Sequence, residues 1–69
     1  MKVITVSING AARQFPDPTS VAALIEALNL TGKRIALERN GDIVPRSSFA
    51  TQLLADGDKL EVVVAVGGG

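Results

Sequence analysis

Cysteine, histidine, tryptophan and tyrosine are all absent from this 69-residue sequence. Without cysteine there is no disulfide, and without cysteine and histidine the usual ligands of a structural zinc are missing. A chain of this length has a small core that yields only a few kcal/mol of net stability. Stability must therefore come from packing alone. The 46% hydrophobic content makes such packing possible and argues against disorder.

An excess of charge of either sign is also absent. Seven basic and seven acidic residues cancel, which gives no support to nucleic-acid binding or polybasic membrane attachment. Phe15 and Phe49 are the only aromatic residues, so no stacking platform for single-stranded nucleic acid is expected. No apolar run approaches the roughly 18 residues that span a bilayer, and no signal-peptide pattern opens the sequence. We expect a cytoplasmic protein with neither a nucleic-acid nor a membrane partner.

The carboxylates offer little for catalysis. They are spread over predicted turns and exposed faces, at Asp17, Glu26, Glu38, Asp42, Asp56, Asp58 and Glu61. Folding can bring two of them together as in a glycosidase, but so small a chain has little room for a deep, dry cleft. We predict that the chain is not an enzyme and binds neither a metal nor a cofactor. Asp56 and Asp58 flank Gly57 and are interpreted as turn residues.

The first half of the sequence predicts a hairpin followed by a helix. Residues 2–8 alternate, with Ile4, Val6 and Ile8 on one face. Asn9-Gly10 is typical of a type I′ turn, and residues 11–15 form the returning strand. After Pro16-Asp17-Pro18, Thr19 or Ser20 is suited to cap a helix over residues 21–28. Its apolar residues fall at helical spacing, and Asn29 or Gly32 is expected to end it.

The second half predicts a second hairpin and a last strand. Residues 34–39 and 42–44 flank the turn Asn40-Gly41, and Ser47 is predicted to cap a short turn through Phe49. Residues 60–66 form the final strand, which is expected to lie parallel to the first in the centre of the sheet. The predicted class is α+β, a ubiquitin-like β-grasp with a mixed sheet of about five strands and one helix on one face. We assign residues 1–66 to this domain and residues 67–69 to a flexible glycine tail.

Three glycines, Gly67 to Gly69, end the sequence. They lack the helix and the Lys-Ser/Thr of a phosphate-binding loop. One interpretation is a frayed end or a linker remnant. The other is a tail that enters a narrow site on a partner, because glycine lets the backbone approach closely. The residues alone leave both interpretations open.

The sequence as a whole resembles the ThiS family, the sulfur carriers of bacterial thiamine biosynthesis. The resemblance rests on the first Asn-Gly turn, the helix over residues 21–28, residues 40–47 with Val-Pro-Arg, residues 56–62 with Asp-Gly-Asp, and the terminal glycines. It implies that the carboxylate of Gly69 is adenylated and converted to a thiocarboxylate that donates sulfur to thiazole synthase. Gly68 would then be required for access, and Gly67 would extend the tail.

The resemblance also implies the partners. These are a ThiF-like adenylating enzyme that uses ATP and Mg²⁺, a ThiG-like thiazole synthase, and a cysteine desulfurase or other persulfide source. Beside the tail, we predict a partner-docking surface formed by Val63, Ala65, Val66 and Arg46. The competing interpretation makes the three apolar residues ordinary outer-sheet positions and Arg46 a solvated charge, as we also interpret Lys33, Arg34 and Arg39.

Three alternatives share parts of this pattern. The small subunit of molybdopterin synthase has the same fold, Gly-Gly end and thiocarboxylate chemistry, but is usually somewhat longer. A ubiquitin-like modifier would join its terminal glycine to a lysine of a target protein. An interaction module would carry an inert tail. The compact length and the Val-Pro-Arg segment favour the thiamine pathway.

Overall fold

The computed structural model describes residues 2–65 as a five-stranded mixed sheet with a helix on one face. Its elements are β1 (Val3–Ile8), β2 (Ala11–Pro16), α1 (Val21–Ala27), β3 (Ile35–Arg39), β4 (Asp42–Ile43), a 3₁₀ turn (Arg46–Ser48) and β5 (Lys59–Val64). The strand order is β2-β1-β5-β3-β4. This arrangement confirms the predicted α+β class and the predicted central position of the last strand.

The β1–β2 hairpin forms because Asn9 and Gly10 accept left-handed backbone angles. Their φ values are 51° and 87°, as a type I′ turn requires. The register pairs Ile4 with Phe15, so the single aromatic side chain of β2 joins the alternating apolar residues of β1 on the buried face. Pro16 ends β2, which a proline can do without disrupting the sheet because β2 is an edge strand.

Helix α1 is shorter than predicted because both of its ends are capped tightly. Ser20 Oγ accepts a hydrogen bond from the Ala23 backbone N–H at 3.1 Å, which settles the N-cap in favour of Ser20. At the other end Asn29 has φ 59°, and the Leu30 N–H donates to the Ile25 carbonyl at 3.0 Å. This bond and the one from Asn29 to the Glu26 carbonyl form a Schellman motif. The helix therefore ends at Ala27, and Asn29 rather than Gly32 stops it.

The segment after β4 differs from the prediction. Ser47 was expected to cap the short turn, but Pro45 occupies the N-cap position and no side chain caps the turn. Pro45 is extended (φ −63°, ψ 146°), and its carbonyl accepts from the Ser48 N–H at 2.9 Å. The proline itself thus sets the start of the turn, which lies two residues earlier than predicted. Further on, Leu54 is buried whereas its neighbour Leu53 is 51% exposed.

Strand β5 is the central strand and pairs on both sides. It is parallel to β1, with Ile8 opposite Leu60, and antiparallel to β3, with Leu37 opposite Val62. It ends at Val64, two residues before the predicted end, although the Ala65 N–H still donates to the Arg34 carbonyl at 2.9 Å. Val66 and the predicted tail, residues 67–69, lie outside the described residues.

The core lies between the sheet and α1. Its members are the inward residues of four strands, three residues of the helix and two from the connecting segments: Ile4, Val6, Ile8, Phe15, Val21, Leu24, Ile25, Leu37, Val44, Leu54, Leu60 and Val62. Val64 has the same parity as Leu60 and Val62 but is 39% exposed. The buried face of β5 therefore opens to solvent near its C-terminal end.

Two asparagine side chains extend the pairing of β5 beyond its partner strands. The Asn9 amide donates to the Val62 carbonyl at 3.0 Å, and its oxygen accepts from the Val62 N–H at 2.8 Å. On the opposite side Asn40 Oδ1 accepts from the Lys59 N–H at 2.9 Å. Each Asn-Gly turn thus both reverses the chain and holds β5.

We expect replacement of Asn9 to destabilise the fold through two separable effects, the loss of its side-chain hydrogen bonds and the strain of a positive φ. Asn9→Gly tolerates the positive φ but loses two hydrogen bonds, which should lower the free energy of unfolding by about 1–2 kcal/mol. Asn9→Ala should cost roughly 1 kcal/mol more, because alanine is unfavourable at positive φ. Urea denaturation measures both. Equal midpoints for wild type and Asn9→Gly would show that the amide does not hold β5.

Candidate functional site

The end of β5 is the point at which the described chain approaches the predicted sulfur-carrying residue. Ala65 is held by its hydrogen bond to Arg34 at 2.9 Å, and Gly69 lies four residues further on. Four extended residues reach about 13 Å. The site therefore combines a fixed strand end with a chain segment long enough to reach into a neighbouring molecule. Gly67, Gly68 and Gly69 themselves lie outside the described residues, so their roles stay predictions.

A shallow groove lies beside this strand end, and we call it the strand-end groove. It measures about 380 Å³ and is lined by Arg34, Ile35, Ala36, Arg46, Val63 and Ala65. Three of the four predicted docking residues, Val63, Ala65 and Arg46, therefore line one groove. The fourth, Val66, lies outside the described residues. Val63 is 62% exposed, so its apolar surface is available to a partner.

A second groove, the helix-side groove, adjoins the first. It measures about 360 Å³ and lies between α1, residues 30–35 and the 3₁₀ turn. Ile25, Leu30 and Phe49 contribute apolar surface to it, and Lys33 contributes a cation. Ile35 and Arg46 line both grooves. Arg46 thus lies at the boundary between the helix side and the strand-end side of the domain.

Asp58 anchors the opposite end of β5. Its carboxylate accepts hydrogen bonds from Arg39 Nε at 2.7 Å, the Ala55 N–H at 2.8 Å and Asn40 Nδ2 at 3.0 Å. Burial alone would raise the pKa of Asp58, but the bonds to Arg39, Ala55 and Asn40 outweigh it and hold the pKa below the ordinary value. The prediction that Arg39 is a solvated charge was therefore wrong.

The Asp56-Gly57-Asp58 turn also ties β1 to β5. Asp56 Oδ1 accepts from the Thr5 N–H at 2.8 Å, and the Gly57 N–H donates to the Thr5 carbonyl at 2.8 Å. The assignment of these residues to a turn is thus correct, but it missed their long-range bonds. The alternation of acid, glycine and acid just before an apolar strand is the signal from which such an anchor could have been inferred.

Neither a metal cluster nor a membrane helix is found in the described part of the chain. Within residues 2–65 no three His, Cys, Asp or Glu side chains come together in a way that could hold a metal ion. Over the same residues, no helix has both the length and the apolar character needed to cross a membrane.

Solved structures with the same architecture identify the class of fold. The crystal structure of the thiamine biosynthesis protein ThiS from Geobacter metallireducens aligns with a TM-score of 0.80 at 26% identity, over 96% of this chain and all (100%) of that one. A solution structure of a thiamine biosynthesis protein from the same organism aligns with a TM-score of 0.77. The fold is therefore the ubiquitin-like β-grasp seen in ThiS proteins.

Sequence comparison identifies the family. The ThiS family model matches residues 6–69. Uncharacterized protein ycf40 of Porphyra purpurea is 35% identical over 99% of this chain and 96% of its own length. The chain therefore belongs to the ThiS family.

A further relative is much longer than this chain. Thiazole synthase of Paramagnetospirillum magneticum is 47% identical over 62 residues, which cover 90% of this chain but only 19% of that protein. Thiazole synthase of Magnetococcus marinus shows the same relation, with 30% identity over 20% of its length. This chain therefore spans about a fifth of the thiazole synthases that it matches.

We expect Asp58→Asn to remove a pH-dependent part of the stability. Since the folded-state pKa of Asp58 lies below its ordinary value, the carboxylate contributes fully to stability above that ordinary pKa and loses its effect as pH falls through the folded-state pKa. At neutral pH the variant should be about 1–3 kcal/mol less stable, and the difference should shrink in acid.

Urea denaturation at pH 7 and pH 3 measures this difference. The matched control is Asp17→Asn, at an exposed position, which should change stability by less than about 0.5 kcal/mol at either pH. An Asp58→Asn effect that is equal at both pH values would contradict the role assigned to the carboxylate charge.

Proposed function

We propose that this protein carries sulfur on the carboxylate of Gly69 and delivers it to a thiazole synthase during formation of the thiamine thiazole. The observation that carries the proposal is membership of the ThiS family over residues 6–69, a range that includes the terminal glycines. The chain itself is a co-substrate, and the catalytic residues belong to its partners. It binds no cofactor, and ATP and Mg²⁺ are used by the adenylating partner.

The first step activates the carboxylate, which is a poor electrophile. An oxygen of the Gly69 carboxylate attacks the α-phosphorus of ATP on a ThiF-like enzyme, and pyrophosphate leaves. Mg²⁺ on that enzyme neutralises the phosphate charge. The product is an acyl-adenylate whose AMP is a good leaving group.

The second step exchanges oxygen for sulfur. The terminal sulfur of a cysteine persulfide, supplied by a cysteine desulfurase or another persulfide source, attacks the carbonyl carbon and displaces AMP. A thiol then cleaves the resulting acyl disulfide by thiol–disulfide exchange, which releases the thiocarboxylate. Because this sequence has no cysteine, it has no thiol that could attack the activated carbonyl in place of the persulfide.

The geometry of β5 supports a carrier role. The strand is paired on both sides and anchored by Asp58 at its start, so its end is a fixed base for the residues that follow. A glycine segment has no side chains to exclude it from a narrow active site. The same segment can therefore serve both the adenylating enzyme and the thiazole synthase.

The names of the longer relatives support the choice of sulfur acceptor. Two thiazole synthases contain a segment similar to this chain. Two proteins that act together can occur joined in one chain, and a carrier-like segment within a thiazole synthase fits that pattern. We therefore propose a ThiG-like thiazole synthase as the acceptor, ahead of molybdopterin synthase or a lysine on a target protein.

We expect sulfur loading to be visible as a change of intact mass. Incubation with a ThiF-like enzyme, ATP, Mg²⁺ and a persulfide source should add the mass difference between one sulfur and one oxygen. Deletion of Gly68 and Gly69 should abolish the gain without changing the urea midpoint, because glycine has no side chain to contribute to the core. If the full-length chain gains no mass with any such enzyme, the carrier proposal fails. Adducts on lysines would instead indicate a modifier.

We also propose that Val63, Ala65 and Val66 dock against the partner together with Arg46. Val63→Ser should raise the KM for loading about fivefold, because roughly 1 kcal/mol of apolar burial is lost at the interface. The matched control is Val3→Ser, since Val3 is also an exposed strand valine (53% against 62%) but lies away from the strand-end groove. Equal KM values for the two variants would argue that Val63 does not dock.

A further inference from the structure

The outer face of β3 and β5 is sorted by charge along the strand direction. At the end nearest the C-terminus, Arg34 is bonded to Ala65. The next pair on the same face is Ala36 with Val63, and the next is Glu38 with Glu61. The face therefore passes from a cation through an apolar step to two carboxylates.

Two further cations lie at the Arg34 end. Arg46 lines the strand-end groove together with Arg34, and it lines the helix-side groove together with Lys33. The Arg46 guanidinium donates a 3.4 Å hydrogen bond to the Lys33 carbonyl, which holds its charge close to that loop. We call Lys33, Arg34 and Arg46 the cationic rim. It gathers three of the seven basic residues of a chain whose net charge is zero.

The rim has no internal counter-charge among the described residues. The salt bridge found within residues 2–65 joins Arg39 to Asp58, at the other end of β5. All three rim residues are exposed. Like charges on one surface repel one another, so the three positive charges do not themselves stabilise the fold. The rim does create a positive field around the point where the chain leaves the sheet.

The surface between the cations identifies the kind of partner. Ile35, Ala36, Val63 and Ala65 give the strand-end groove an apolar floor. An apolar centre with charges at its margin is the composition of a protein–protein interface. A nucleic acid would call for a longer stripe of cations to follow its phosphates. The rim therefore fits an acidic protein surface that surrounds an apolar contact.

We propose that Lys33, Arg34 and Arg46 steer this carrier onto an acidic surface at the mouth of the adenylating partner's active site. The inference rests on the proposed function, because it takes that partner as the occupant of the groove. Attraction between the two surfaces raises the encounter rate and orients the strand end toward the active site. The acidic pair Glu38 and Glu61 lies further along the same face, away from the strand end, so a reversed approach would bring carboxylates against the acidic surface and be repelled.

The test compares association rates at two salt concentrations. Arg34→Glu/Arg46→Glu and the wild type are each mixed with a purified ThiF-like enzyme in stopped flow, at about 0.1 M and about 1 M NaCl, where the Debye length falls from about 10 Å to about 3 Å. We expect the double variant to associate about tenfold more slowly at low salt and within about twofold of wild type at high salt.

Two further variants separate charge from structure. Lys2→Glu/Arg13→Glu makes the same change of net charge on β2 and just before β1, away from the rim, and should change the rate less than about threefold. Arg34→Lys/Arg46→Lys keeps the charge and should retain most of the wild-type rate. Urea midpoints within error of wild type show that each variant is folded.

The outcomes distinguish this inference from the proposed function. If the rim and control variants slow association equally, or the lysine variant is as slow as the glutamate variant, the rim is overturned even when mass analysis shows sulfur loading. If association depends on the rim but no thiocarboxylate forms, the carrier proposal fails and the rim stands. If the wild type does not associate with the enzyme at all, the proposal that the rim steers association is overturned.

Discussion

Pairing of β5 on both sides is the constraint on which the rest of the structure depends. The last strand, β5, lies between β1 and β3, so the sheet is complete only when the first and last strands have paired. Two paired residues of β1 and five of β3 hold it. Asn9 and Asn40 then continue the ladder with their side chains, so β5 is bonded past the end of β1 and at its own first residue.

This constraint divides the molecule between stability and function. The inner face of β5 contributes Leu60 and Val62 to the core, and Asp58 secures its start. The outer face of β5 contributes no residue to the core, so Val63 and the neighbouring cations are available to contact a partner. In the proposed carrier role the chemistry occurs at the partners, so the domain would need only a rigid base, a recognisable face and a segment that reaches beyond both.

Much of this arrangement could be predicted because the relevant signals are local. Alternation of apolar residues located β1, and the two Asn-Gly pairs located the hairpins, since positive φ is a property of single residues. Helical spacing found α1. Ser47 was misassigned because the extended Pro45, rather than a side chain, begins the 3₁₀ turn. Arg39 was misassigned because its partner Asp58 is 19 residues away, and no periodicity connects the two.

The sequence by itself determined the elements, the core faces and the family, because each depends on short-range spacing or on residue identity along the whole chain. Only the tertiary structure decided that Asp58 is a buried anchor, that asparagine amides extend the ladder, and that Lys33, Arg34 and Arg46 lie together at the end of β5. The physical reason is that hydrogen bonds and electrostatic fields act between groups that are near in space, and the tertiary arrangement of strands and connecting segments sets which distant residues those are.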